Sequence, residues 1–224
     1  MIEATHIHDF FEGLKGYCDT LNRPPVRLIA VVKNQSIAAI NAAARAGVKD
    51  VAENYLQTAL VKIAATDPGL IWHFIGTVQA NKTRLIAEHF SWVHTLDREK
   101  IAARLHDARS ETHPPLNVCV QVNLDRSPNK AGIPPEQVAD FLLQLQTYQR
   151  LSVRGLMFFP DKMNQSDTIC YYQTAASLYQ QVRRQFPQLD QISMGTSSDY
   201  KCAIAAGSTM IRVGSALFKT LLDG

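Results

Sequence analysis

Val26-Arg27-Leu28-Ile29-Ala30-Val31-Val32-Lys33 is a short apolar run, β-branched at Val26, Ile29, Val31 and Val32. That is the pattern of a strand covered on both faces in a parallel sheet. Lys33 closes it, and Asn34-Gln35-Ser36 follow as turn and helix-start residues. A lysine ending a first barrel strand stands where barrel active sites are built. Its amine can form a Schiff base with an aldehyde. The plainer reading is a lysine that snorkels off the strand end with its ammonium in water. The rest of the chain decides between the two.

Before this run, residues 2–22 read as a helix, with Ile7, Phe10, Phe11, Leu14, Tyr17, Cys18 and Leu21 on one stripe. Asn22-Arg23-Pro24-Pro25 ends it. After the run, strand and helix alternate. Strands are expected at 26–33, 50–54, 70–75, 92–96, 116–124, 151–159, 191–194 and 209–213. Helices are expected at 36–46, 55–64, 81–89, 97–109, 134–148, 166–186, 199–206 and 215–222. Ser36 and Asp97 read as N-caps, and Gly47 as a helix stop. Alternating units predict a parallel sheet, and eight of them predict a closed (β/α)8 TIM barrel. The 224 residues fall a little under the ~250 typical of that fold. A doubly wound open sheet is the rival, because periodicity does not reveal closure. No linker interrupts the chain. The expected organisation is one domain over 1–224, with an N-terminal helix at 1–25 and the barrel at 26–222.

Composition is ordinary, with 46% hydrophobic and 19% charged residues and a net charge of +3. No Lys/Arg clustering points to nucleic acid or a membrane surface. No apolar run approaches the ~20 residues of a membrane-spanning helix. Met1-Ile2-Glu3-Ala4-Thr5-His6 lacks the basic region and apolar core of a signal peptide. Cys18, Cys119, Cys170 and Cys202 are far apart and form no CxxC pair. They read as reduced thiols of a cytoplasmic protein. His6 and His8 read as a solvated pair on the first helix, and no metal site is expected.

Functional residues of a barrel lie just after its strands. That rule selects Lys33; Glu53, Asn54 and Tyr55; Gly76 with Gln79 and Asn81; Asn123; Met157 and Pro160; Ser193 to Ser198; and Arg212 with Gly214 and Ser215. Gly195-Thr196-Ser197-Ser198 and Gly214-Ser215 each precede a helical stretch. Small residues admit close backbone approach, and free N–H groups at a helix start attract anions. The loops after strands seven and eight are the usual phosphate position of this fold. Ordinary N-capping by Ser197 and Ser215 is the plainer alternative. Arg212 interrupts an apolar strand, so an inward guanidinium implies a polar ligand or a carboxylate partner. An outward arginine at a strand edge is the alternative. A phosphorylated ligand with an amine opposite suits a Schiff-base phosphosugar aldolase or a pyridoxal phosphate protein.

The motifs go further. Val31-Val32-Lys33, Glu53-Asn54-Tyr55-x-Gln57, Trp72-His73-Phe74-Ile75-Gly76-x-x-Gln79-x-Asn81-Lys82, Val93-His94-Thr95-Leu96-Asp97, Gln121-Val122-Asn123, Lys130-Ala131-Gly132, Arg154-Gly155-Leu156-Met157, Leu189 through Gly195 and Gly207 through Gly214 occur in this order. The chain resembles the pyridoxal phosphate homeostasis proteins, which have the fold of the alanine racemase N-terminal domain. The resemblance runs from about residue 26 to 218 and implies a barrel that binds pyridoxal 5'-phosphate as an internal aldimine on Lys33. It implies phosphate contacts at Ser197, Gly214 and Ser215 with Thr196 beside them, Arg212 facing the pyridine nitrogen, and Asn54 and Met194 lining the ring. It further implies a non-catalytic role in cofactor supply, storage and amino-acid and keto-acid balance. Apart from the resemblance, transfer to apo-enzymes is an open alternative role, and a monomer is the expected state. The alternative is a racemase-like enzyme on the same cofactor. Racemases add a further β-domain, which this chain is expected to lack. Val32, Asn34, Thr196, Tyr200 and Lys219 depart from the residues the family often carries.

Overall fold

Apolar, β-branched runs become strands, and the amphipathic stretches between them become helices. The structure, a computed structural model, describes residues 4–161 and 163–218. Helix α1 (Ala4–Thr20) precedes β1 (Arg27–Val31), α2 (Ile37–Arg45), β2 (Asp50–Glu53), α3 (Leu56–Ala65), β3 (Ile71–Phe74), α4 (Thr83–His89) and β4 (Trp92–Leu96). There follow α5 (Glu99–Ala108), β5 (Leu116–Gln121), α6 (Val138–Leu145), β6 (Leu151–Met157), α7 (Gln165–Gln185), β7 (Gln191–Ser193), α8 (Tyr200–Ala206) and β8 (Met210–Val213).

The strands pair in chain order, each neighbour parallel, and β8 returns to β1. Ile29 makes the closure concrete, standing beside Asp50 of β2 on one side and Arg212 of β8 on the other. An open sheet is thereby excluded. Closure divides the buried side chains of each strand between two faces. Leu28, Ala30 and Val32 join the outer core under the helices. Ile29 and Val31 join a small inner cluster with Ala52, Trp92, Cys119, Met157 and Met210. Branched aliphatic residues usually fill a barrel of this kind. Here the buried set also contains Asp50, His73, His94, Ser193 and Arg212.

Helix α1 buries Ile7, Leu14 and Cys18 and half-buries Phe10, Phe11 and Tyr17; it ends at Thr20, two residues short of the expected end, and Leu21 beyond it is exposed. His6 does not form a solvated pair with His8: its Nε2 lies 3.0 Å from the Ala216 carbonyl oxygen, while His8 is exposed. Ser36 caps α2 as expected, accepting the Ala39 N–H. Asp97 does not cap α5. The helix starts at Glu99 after Arg98, and the Asp97 carboxylate instead accepts from Arg98 Nε at 2.9 Å. The 134–148 stretch divides into a 3-10 turn at Pro135–Gln137 and the shorter α6. Strand β5 stops at Gln121 because Val122 and Asn123 turn to pair with Ile133. Of the helix expected at 215–222, Ser215, Ala216 and Leu217 form a turn. Residues 219–222, with the departure at Lys219, lie outside the described residues. The four cysteines are free. No helix among the described residues is long and apolar enough to cross a membrane.

Candidate functional site

Strand β1 delivers its last side chains to the C-terminal mouth of the barrel. Val32 still donates to the Ala52 carbonyl at 2.9 Å, and Lys33 stands free of the strand, exposed on the wall of a pocket. Asn34 turns the chain there with φ +64°, a left-handed conformation asparagine tolerates and β-branched residues resist. A buried ion pair fixes this end of the sheet from below. Lys62 Nζ of α3 donates to the Val32 carbonyl at 2.8 Å and to Glu53 Oε2 at 2.6 Å. The other oxygen of Glu53 accepts the N–H groups of Asn54 and Tyr55. Glu53, selected from the sequence as a strand-end residue, is therefore a brace and not part of the pocket wall.

The pocket has a volume of about 590 Å³ and is lined by Lys33, Asn54, Met157, Thr196, Ser197, Ser198, Arg212, Gly214 and Ser215 of the predicted set. Met194 is not on this wall; it is fully buried in the outer core. Tyr55, Gly76, Gln79, Asn81 and Asn123 are not on it either. Gly76 instead packs against Asn54, where an added Cβ would meet the Asn54 carbonyl oxygen at 2.0 Å. Asn123 ties its own loop through Ser127 and Lys130. Sequence reasoning missed Thr77, Thr95 and Gln121, which also line the pocket. Gln121 was hidden inside a strand drawn three residues too long.

The loops after β7 and β8 meet at one side. Ser197 does not cap α8, whose N-cap position is Asp199. Its Oγ instead accepts the Gly214 N–H at 3.1 Å and the Ala216 N–H at 3.3 Å. Two backbone amides of the β8 loop thus converge on one oxygen. Gly195 allows the turn, with φ +97° and no room for a Cβ, which would lie 2.6 Å from that of Ala203. Thr196 is held by Asp199 Oδ1, which accepts both its N–H and its hydroxyl. Across the pocket Asn54 Oδ1 is buried with no hydrogen-bond partner among the described residues.

Arg212 points inward and is 5% exposed. Its partners are a hydroxyl and a carbonyl: NH1 donates to Ser193 Oγ at 2.6 Å and NH2 to the Phe158 carbonyl at 3.0 Å. No carboxylate among the described residues pairs with it, which leaves the polar-ligand half of the expectation. Burial depresses its pKa, and a guanidinium in a protein stays charged. Behind it stand His94 and His73, both fully buried, which the sequence reading quoted only as motif members. Burial pushes both imidazoles below their usual pKa, His94 far below.

The chain matches the family described as alanine racemase, N-terminal domain, over residues 15–221. A Vibrio cholerae protein named pyridoxal phosphate homeostasis protein is 44% identical over 219 residues, covering 95% of this chain and 92% of that one. The solved structure of PipY from Synechococcus elongatus, with pyridoxal phosphate bound, superposes with TM-score 0.84 at 37% identity, covering 95% and 99% of the two chains. Alanine racemase from Corynebacterium glutamicum shares the fold alone, with TM-score 0.68 at 14% identity over 97% of this chain and 61% of that one.

Proposed function

We propose that this chain, which belongs to the alanine racemase N-terminal domain family and to its pyridoxal phosphate homeostasis branch, binds pyridoxal 5'-phosphate and serves cofactor homeostasis rather than catalysis. The observation that carries the reading is one pocket in which the Lys33 amine, residues 196–198 and 214–215 of the two loops and the buried Arg212 face a common volume. The cofactor supplies an aldehyde open to amine attack and, when its ring nitrogen is protonated, an electron sink.

The donor set fits that group. Lys33 supplies the amine for a covalent link. The Gly214 and Ala216 N–H groups already converge on an oxygen, that of Ser197, and amides so arranged suit a phosphate. Gly214 leaves no spare room: an added Cβ would lie 3.2 Å from the Val31 carbonyl oxygen. Asn54 Oδ1 waits for a donor. A pocket of about 590 Å³ lies within the usual ~300–1,000 Å³ range of small-molecule sites.

The same residues argue for holding the cofactor rather than using it. A cationic Arg212 beside a ring nitrogen disfavours its protonation, by like-charge repulsion, and weakens the electron sink. The titratable side chains on the pocket wall are Lys33 and Arg212. Proton exchange at a substrate carbon on two faces needs a second base, and the wall offers none among the described residues. Apo-enzymes are the recipients of released cofactor on this reading, and the protein is a cytoplasmic monomer.

The test is the absorbance spectrum of purified protein with added pyridoxal phosphate, before and after borohydride, with peptide mapping. A visible band that reduction removes, leaving a pyridoxyl group on Lys33, is expected. No band, or a label elsewhere, overturns the site. Exchange of an amino acid's α-proton for solvent deuterium would overturn the non-catalytic role.

A further inference from the structure

Arg212 ends a continuous line of buried hydrogen bonds through the barrel interior. Ser193 Oγ lies 2.9 Å from His94 Nδ1, His94 Nε2 lies 2.9 Å from His73 Nδ1, and His73 Nε2 lies 2.9 Å from Asp50 Oδ1. Asp50 Oδ1 also accepts from Arg27 at 2.5 Å. The line uses β8, β7, β4, β3 and β2 in turn and finishes at the half-exposed Arg27 of β1.

The chemistry of each member sets the direction. A guanidinium only donates, so Ser193 Oγ accepts from Arg212 and its own proton is free for His94 Nδ1. A neutral His94 then carries hydrogen on Nε2 and donates to His73 Nδ1. A neutral His73 carries hydrogen on Nε2 and donates to the Asp50 carboxylate, which only accepts. Every link is satisfied in this one sense. The opposite sense turns a lone pair of His73 onto the carboxylate unless Asp50 is protonated. The groups facing the line are Arg27 on β1, Trp92 stacked on His73 at 5.4 Å, and Cys119 on β5, with Tyr171, Tyr172 and Asp199 around the Arg212 end. Asp50 is the anion that acts on the histidine pair, through His73, and hydrogen bonds from His73 and Arg27 hold it ionised.

We propose that Asp50, His73, His94 and Ser193 are positioning residues for Arg212: a one-directional relay anchored on a carboxylate away from the pocket. Its negative end makes Ser193 Oγ a better acceptor, which fixes the guanidinium against the pocket and keeps its remaining N–H groups turned to the ligand. The proposal rests on the reading of the pocket as a pyridoxal phosphate site.

Two measurements test it. In the ligand-free protein, ¹⁵N NMR near neutral pH should find both His73 and His94 neutral with hydrogen on Nε2. Hydrogen on Nδ1 of either overturns the relay. Asp50→Asn and Ser193→Ala, which do not touch one another, should each weaken pyridoxal phosphate binding about tenfold and shift its bound spectrum. The pair should weaken it far less than the additive ~100-fold. Strict additivity, or lower thermal stability with an unchanged spectrum and affinity, means a merely structural role and overturns the proposal. Wild type that binds no pyridoxal phosphate sinks the functional reading instead, and the NMR tautomers still decide the relay.

Discussion

Lys62 Nζ and Glu53 Oε2 lie 2.6 Å apart with both side chains buried, and the same ammonium holds the carbonyl oxygen of Val32, the residue before Lys33. The pair joins α3 to the ends of β1 and β2. Removing one partner strands the other in the protein interior. Lys62→Met should therefore cost about 3–5 kcal/mol by urea unfolding. Adding Glu53→Gln should restore part of it. A loss close to zero for Lys62→Met would show that the carboxylate finds water there.

Lys33 is exposed and makes no contribution to either core cluster. Lys33→Ala should abolish reducible cofactor attachment while leaving the ligand-free melting temperature within about 2 °C of wild type, the response to a change of ~0.5 kcal/mol. A larger drop would place the side chain in the packing instead.

At Asn34 the left-handed backbone, φ +64°, sets the substitution order. Asn34→Thr should destabilise by about 1–2 kcal/mol, because a β-branched side chain crowds this conformation. Asn34→Gly should be close to neutral. Thermal melts of the two variants without ligand check the order, and equal effects would contradict it.

Acid should weaken the fold in two stages. Burial holds His73 and His94 below their usual pKa. Below pH ~6.5 the unfolded chain takes up protons that the folded chain refuses, so stability falls by up to ~1.4 kcal/mol per pH unit per histidine. Asp50 acts lower. Burial raises its pKa, but hydrogen bonds from His73 and Arg27 more than offset that and leave it depressed. Its share is intact above pH ~4 and is lost as the pH falls through its folded value. Urea unfolding from about pH 7.5 to pH 5 should show the first stage, and a flat profile there would mean that the histidines are charged in the fold.

The barrel was legible because each strand–helix unit announces itself locally: an apolar β-branched run, a cap, an amphipathic stretch. Ser36 behaved as its sequence suggests because the competing partners are local. Asp97 did not, because Arg98 beside it claims the carboxylate. Most of the predicted pocket residues come together because position after a strand is also a sequence property. Glu53 shows the limit of that rule: its neighbour Lys62, nine residues on, draws it beneath the pocket. The interior line was hidden for a different reason. His94 and Ser193 are 99 positions apart, and only closure makes their strands face each other. Like Arg212, His73 in Trp72-His73-Phe74 and His94 in Val93-His94-Thr95 are polar residues in apolar strands.

Strands β7 and β8 share one residue pair in register, Ser193 with Met210, whereas β5 and β6 share six. Side-chain hydroxyls make up the difference. The single Ser208 hydroxyl proton lies between the carbonyls of Met194 and Met210, at 2.8 and 2.9 Å from Oγ, and Thr209 accepts the Ile192 N–H. This is the thinnest seam of the closed sheet, and the two phosphate-position loops sprout from its two edges. An anion gripped by both would act as a clasp. Amide hydrogen exchange along this seam should slow on loading more than anywhere else in the barrel, so that the protein would signal a full pocket by how tightly its wall is shut.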